Sequence, residues 1–395
     1  MPPGKAARET SLIATGLGAK PGDGRRPSWR RGAGEGGKHR ITGRTSEGVG
    51  RGIPLHYRSG DATRQGGRGL MPKTATAGFG RMLGAHAAGL LRKAVAIPAW
   101  PALALLIVIA AIEQPRLLSL PFLLIILRQS VPLALTAIGQ SLPMIGRSID
   151  LSVGGVIAVA NVTLALPAFA AGPAWMSLAF PLVLGATIGM FNAVLIAFVR
   201  ASAVVVTLGV SVMLVGTSYL ISGGAPGGAV HPLIRWIATG RWGTFPIAGI
   251  VLLVIAIVAA VMLRRSVFGH ALSATGASYG AAWLGGISVR KELVVAHVLC
   301  GICAGIAGIM LTGYIGTGTL NLGADLVMAS VAAVVLGGTT FGASAGGVGG
   351  VFAGAIALTF LANLMTGMGV GKPAQLIVQG LIIAGAAALA RLRAR

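Results

Sequence analysis

The string Gly342-Ala343-Ser344-Ala345-Gly346, with His297 upstream, offers the residue types of a serine nucleophile and its base. A nucleophile elbow needs a strand before the serine and a helix after it. Here the string lies in a Gly-rich turn between two apolar stretches, so it reads as a tight helical hairpin. Cys300 and Cys303 have C-x-x-C spacing inside an apolar, Gly/Ala-rich stretch. Redox or metal chemistry would need polarity, exposure or further ligands, so the pair reads as two small residues on one helix face. Gly32 to Lys38 reads G-x-x-x-x-G-K, but His39 stands where a phosphate loop needs Ser or Thr, and no apolar strand precedes it. No ATPase site of the chain's own, H-E-x-x-H motif or helically spaced carboxylate pair appears in the apolar body. Asp150 is the charge that stands out. An ionisable residue beside an apolar run is costly and is a functional candidate by default. Two roles fit: a cap, with Ser152, for a helix starting near Leu151-Ser152-Val153-Gly154-Gly155 and paired with Arg147, or direct gating.

The elements that must position these residues are set by composition. The chain has 395 residues, 54% hydrophobic and 10% charged, against roughly 25% charged in an average soluble domain. After residue 93 only Glu113, Asp150, Glu292 and Asp325 are acidic. A bilayer suits such a chain. Ten apolar segments of spanning length follow: 96–113, 124–145, 151–171, 176–199, 203–222, 245–263, 292–314, 325–341, 346–366 and 373–390. The expected class is all-α, a polytopic membrane protein of about ten transmembrane helices.

Residues 1–93 form a separate Gly/Arg/Ser-rich leader that carries 18 of the 32 Lys and Arg residues. It lacks sustained apolar periodicity and is expected to be disordered. A mis-assigned start, with Met71 or Met82 as the true one, is one expectation for this leader and a regulatory tail the other, and 79–93 reads as a short amphipathic surface helix. The net charge of +23 does not make the body a nucleic-acid binder. The excess sits in the leader, and the remaining basic residues lie at predicted membrane edges.

Basic residues orient the spans. With the N-terminus inside, inner loops and the tail hold nine Lys/Arg and outer loops four, which favours both termini on the cytoplasmic side. Asp150 then lies at the inner edge, which argues against a role as a solute ligand. The outer loop 223–244 carries Trp236 and Trp242. The inner segment 264–290 is almost uncharged between Arg264–Arg265 and Arg290–Lys291. An uncharged segment at that face should be covered by a partner. Glu113 and Asp325 fall near outer ends and Glu292 near an inner end, so the midplane reads as free of ionisable groups.

Gly146-Arg147-Ser148-Ile149-Asp150-Leu151-Ser152-Val153-Gly154-Gly155 closely resembles the G-I-D-L-S-V-G signature of ribose/xylose-type ABC sugar permeases, within the branched-chain amino acid/sugar permease superfamily. Val205 to Gly209 with Ser222-Gly223-Gly224, Ala274 to Ile287, and Ala332 to Thr339 resemble further stretches of that family in the same order. The resemblance covers about residues 97–390 and implies the ABC importer permease fold. It implies a second permease copy (identical or not), two cytoplasmic ATP-binding subunits that use ATP and Mg, and a periplasmic sugar-binding protein. No cofactor is expected on this chain. The coupling segment to the ATPase would include Gly276, Tyr279, Ala281, Trp283, Leu284 and Gly286. Tyr279 and Trp283 are aromatic where the family commonly has an acidic residue and Arg. Asp150, Ser152 and Gly154 are the signature positions.

The expected function is the permease subunit of an ATP-driven importer of a small, ribose-like sugar, itself not an enzyme. A neutral polar solute needs hydrogen-bonding groups along its path. Gln140, Ser141, Asn161, Asn192, Thr207, Ser211 and Asn363 are candidates, with interhelical bonding as the competing role. The alternative is a partner-independent secondary carrier, which would run on an ion gradient.

Overall fold

The computed structural model describes residues 97–393. The leader and the amphipathic helix read over 79–93 lie outside the described residues. The chain runs α1 (Ala99–Glu113), a 3-10 turn (Pro115–Leu118), α2 (Leu120–Ile145), α3 (Val153–Leu164), α4 (Pro167–Ala170), α5 (Ala174–Ala197) and α6 (Ala203–Ser222). It continues as α7 (Pro232–Thr239), the hairpin β1 (Arg241–Trp242) and β2 (Phe245–Pro246), α8 (Ile247–Arg265), α9 (Val267–Ala277) and α10 (Tyr279–Leu284). Last come α11 (Val289–Ile315), α12 (Ala324–Leu336), the hairpin β3 (Thr339–Thr340) and β4 (Ala343–Ser344), α13 (Gly347–Gly367) and α14 (Lys372–Arg393).

Among the described residues, six helices are long and apolar enough to cross a bilayer: α2, α5, α6, α8, α11 and α13. α1, α3 and α12 are shorter apolar helices. The expectation of about ten spans is thus matched only loosely. The segment read as 151–171 forms a 12-residue helix, and that read as 325–341 a 13-residue one. At 1.5 Å per residue these reach about 20 Å, short of a hydrocarbon core of about 30 Å. Apolar composition reports burial but not helix length. Every residue of α3 is buried, so its ends face protein, and irregular backbone at membrane depth is tolerated there. Leu166 adopts an extended conformation before Pro167, which stops α3 from continuing.

α2 and α11 form the centre. The inner part of α2, from Ser130 to Ile145, is buried throughout. Pro132 and Pro143 lie inside it. The carbonyl of Pro143 accepts from the backbone N–H of Ser148 at 2.8 Å, which ties the following loop back onto the helix end. Cys300 and Cys303 of α11 lie against Gly139 of α2, where a Cβ would sit 2.6 Å from that of Cys303. The packing reading of the cysteine pair therefore describes their surroundings; both are free thiols.

α5 and α11 approach most closely through two G-x-x-x-G pairs. Gly185 and Gly189 of α5 face Gly301 and the backbone of His297 on α11, and Gly305 faces Pro181. A Cβ at Gly185 or Gly301 would collide with the facing carbonyl. In lipid, helix association rests on such close packing, since tails are as apolar as side chains. Gly301→Val is therefore expected to separate the two helices and cost at least about 3 kcal/mol. A thermal aggregation assay in detergent should show this as a midpoint many degrees lower; an unchanged midpoint would remove the close contact from the account. By contrast, α8 turns Leu253, Val254, Ile257, Val258 and Val261 outward, as a lipid-facing helix does.

Candidate functional site

The site is the loop between α2 and α3, residues 146–152, with the groups on its two sides. On the inward side Asp150 is 1% exposed. Its Oδ1 accepts from the backbone N–H of Ser152 at 2.9 Å and from the Ser152 hydroxyl at 2.6 Å. Asn192 of α5 donates through Nδ2 to Asp150 Oδ1 at 3.3 Å and to Ser152 Oγ at 2.8 Å. His297 of α11, fully buried, places Nδ1 3.4 Å from Asp150 Oδ2. Its Nε2 lies 2.8 Å from Ser148 Oγ. The tautomer that satisfies both partners carries the proton on Nδ1 and accepts the Ser148 hydroxyl at Nε2. The amide of Gln140, oriented to satisfy both its groups, donates to the Asp150 carbonyl at 2.9 Å and accepts from the Asp150 N–H at 3.3 Å. Ser152, Asn192 and His297 thus hold the carboxylate, and Gln140 holds the backbone of the same residue.

Two expectations are corrected. Asp150 does not pair with Arg147, and its capping bonds go to Ser152 rather than to the first free N–H groups of α3. The interior does hold an ionisable pair, Asp150 and His297, which sequence separation concealed. Ser148, His297 and Asp150 have the order of nucleophile, base and orienting carboxylate. Ser148 is 4% exposed, however, and a nucleophile needs access to its substrate. Ser344, the serine of the G-x-S-x-G string, sits in β4 and shares a 2.9 Å hydrogen bond with Thr339.

On the outward side Arg147 takes a left-handed backbone conformation, φ 60°, unusual for a residue with a Cβ. The turn aims its side chain at the end of α9. Nε donates to the Gly276 carbonyl at 2.6 Å and Nη2 to that of Ala277 at 2.9 Å. The Tyr279 hydroxyl donates to the Gly146 carbonyl at 3.3 Å. Burial pushes the Tyr279 hydroxyl above its ordinary pKa, an effect the nearby Arg147 partly offsets. It is a neutral donor at neutral pH. The N–H of Gly342 donates to the Met144 carbonyl at 3.0 Å, closing the hairpin β3–β4 against the same corner.

The almost uncharged inner segment is therefore two capped helices. Ser266 Oγ accepts from the Gly269 N–H at 3.1 Å to cap α9, and Ser278 Oγ accepts from the Ala281 N–H at 3.3 Å to cap α10. α10 buries Ala282 and exposes Trp283 (71%) and Leu284 (80%). Ala281 and Gly286 are exposed and Tyr279 is partly so. Gly276 differs: it is buried, and a Cβ there would strike the Ile145 carbonyl. It serves as a close-packed seat for Arg147 and is not part of an exposed docking face.

The candidate path residues are dispersed. Gln140 and Asn192 belong to the Asp150 cluster. Ser141 and Thr207 bond carbonyls of their own helices. Asn161 ties α3 to the turn after α11, donating to Thr312 Oγ1 at 3.2 Å and accepting from the Thr319 N–H at 2.7 Å. Asn363 donates to Gln129 Oε1 at 2.9 Å. Interhelical or intrahelical bonding thus accounts for each of these. Ser211 lines a cavity of about 170 Å³ where α3, α6 and α12 meet, together with Gly154, Gly155 and Asn321. Gly154 lies against Gly323 and Val327, and Gly155 against Leu214. Asn321 and the short helix α12 also line this cavity and were not singled out in the sequence, because a broken helix has the composition of a complete one.

Six apolar helices of spanning length, packed with the buried half-length helix α3, describe a multi-pass membrane bundle. The chain belongs to the family described as branched-chain amino acid transport system / permease component, whose model matches residues 122–387. It is similar to the ribose import permease protein RbsC of Escherichia coli K12, at 30% identity over 286 residues, covering 71% of this chain and 89% of that protein. It is 30% identical over 310 residues to the galactose/methyl galactoside import permease protein MglC of Salmonella typhimurium, covering 74% and 92%. It is 29% identical over 269 residues to the autoinducer 2 import system permease protein LsrD of Klebsiella pneumoniae, covering 66% and 80%. No solved structure matches the chain.

Proposed function

We propose that the chain is the transmembrane subunit of an ATP-driven importer of a small sugar, with α10 as the contact to a cytoplasmic ATPase. The observation that carries the reading is the Arg147 clamp. It joins the α9–α10 segment to a loop whose other side holds the buried Asp150 cluster and leads directly into α3. A push on α10 is thereby delivered to the centre of the bundle. The solute class rests on the import proteins named above, all permeases for sugars or a sugar-like signal. The cytoplasmic placement of α10 and both termini rests on the basic residues, and a second permease copy and a periplasmic binding protein complete the assembly. Transport follows alternating access around the central elements. The tagged chain, extracted gently from its native membrane, is expected to co-purify with an ATP-hydrolysing subunit. Co-purification with no nucleotide-binding polypeptide, from membranes that take up ribose or galactose through this chain, would refute the assignment.

A further inference from the structure

A groove of about 920 Å³ opens between the end of α5, α10 and the start of α11. Its walls include Ile196, Val289 and Leu293, and its lining holds three cations, Arg200, Arg290 and Lys291, and no carboxylate. Among the described residues Asp150 faces His297 and Asp325 pairs with Lys372, and no carboxylate, that of neighbouring Glu292 included, lies within ion-pair distance of these three. The Arg290 guanidinium lies 5.6 Å from the Phe198 ring centroid, which holds it over the groove. Arg200 is in a left-handed conformation, φ 61°, at the turn where α5 gives way to α6. Phe198 and Val199 beside it are exposed.

From these features we infer that the groove binds an anionic phospholipid. It lies where α5 ends and α11 begins, so it is continuous with the bilayer edge. Apolar walls of this extent accept acyl chain, and a monosaccharide would find few hydrogen-bonding groups there. Three clustered cations at one membrane surface select an anionic headgroup over a zwitterionic one. Trp283 of α10 lines the same groove, so a lipid seated there touches the segment that the proposed function assigns to ATPase docking. Only the link to ATPase docking rests on that reading; lipid selection stands on the groove alone.

The test uses the full chain in nanodiscs of equimolar phosphatidylglycerol and phosphatidylcholine, with retained lipid counted by native mass spectrometry. The wild type is expected to retain phosphatidylglycerol preferentially. The preference should fall about fivefold for each cation removed in Arg200→Gln, Arg290→Gln and Lys291→Gln, and weaken at high salt. Equal retention of the two lipids by the wild type, or an unchanged preference in the triple variant, overturns the inference. Displacement by soluble glycerol phosphate alone would also overturn it, because it would assign the cations to a free anion. If the triple variant loses a co-purifying ATPase subunit while lipid retention is unchanged, the groove belongs to the protein partner and the inference fails. Failure of ATPase co-purification in every variant would instead strike the proposed function and leave lipid selection standing.

Discussion

Asp150→Ala is expected to reduce solute uptake to background and to destabilise the bundle by about 3–5 kcal/mol, because several buried donors lose one charged, hydrogen-bonded acceptor. The substitution leaves His297 Nδ1, the Ser152 N–H and Asn192 Nδ2 without the acceptor they share in the structure. Loss of uptake alone would not separate misfolding from a failed gate. The paired replacement Asp150→Leu with His297→Leu does, because replacing both partners of a buried polar pair by apolar groups of similar volume is often nearly neutral or stabilising. The double variant is expected to recover most of the thermal midpoint and none of the uptake. Uptake restored together with stability would reduce the cluster to a structural role. Ser148→Ala removes only the distal hydroxyl and should cost about 1 kcal/mol.

The second large effect is expected at α10. Trp283→Asp and Leu284→Asp alter side chains that are 71% and 80% exposed, so the folded bundle should be unaffected. If these side chains fill pockets on an ATPase, each loss should cost about 2–4 kcal/mol of association, roughly 30- to 1000-fold in affinity. The readout is co-purification of the ATPase subunit, with uptake falling in parallel while detergent stability holds. Arg147→Gln separates contact from transmission. It removes the two hydrogen bonds to Gly276 and Ala277 and leaves α10 in place. ATPase association should persist while hydrolysis no longer drives uptake. If Trp283→Asp leaves both association and uptake intact, α10 is not the contact.

Much of this site was legible in the sequence because it is local. The signature run put Asp150, Ser152 and Gly154 within five residues, and the basic pairs bracketed the segment that became α9 and α10. His297 and Asn192 were visible only as polar residues in apolar stretches. Nothing in their spacing points to Asp150, 147 and 42 residues away; their meeting depends on close packing of α5 on α11 through glycines. Arg147 was read as the partner of Asp150 because the two are near in sequence, yet its left-handed backbone turns it to the opposite side of the loop. The lengths of α3 and α12 were hidden for a different reason. A helix buried on all sides and a helix crossing lipid have the same apolar composition.

In the proposed importer, energy enters through α10 from a separate ATPase. The most direct test is uptake of radiolabelled ribose and galactose by liposomes containing the purified chain. With the co-purified ATPase subunit, the sugar-binding protein and ATP on the appropriate sides, uptake is expected and should stop when ATP is omitted. With the chain alone, a proton or sodium gradient is expected to drive none. Gradient-driven accumulation by the chain alone would contradict the account and identify a secondary carrier.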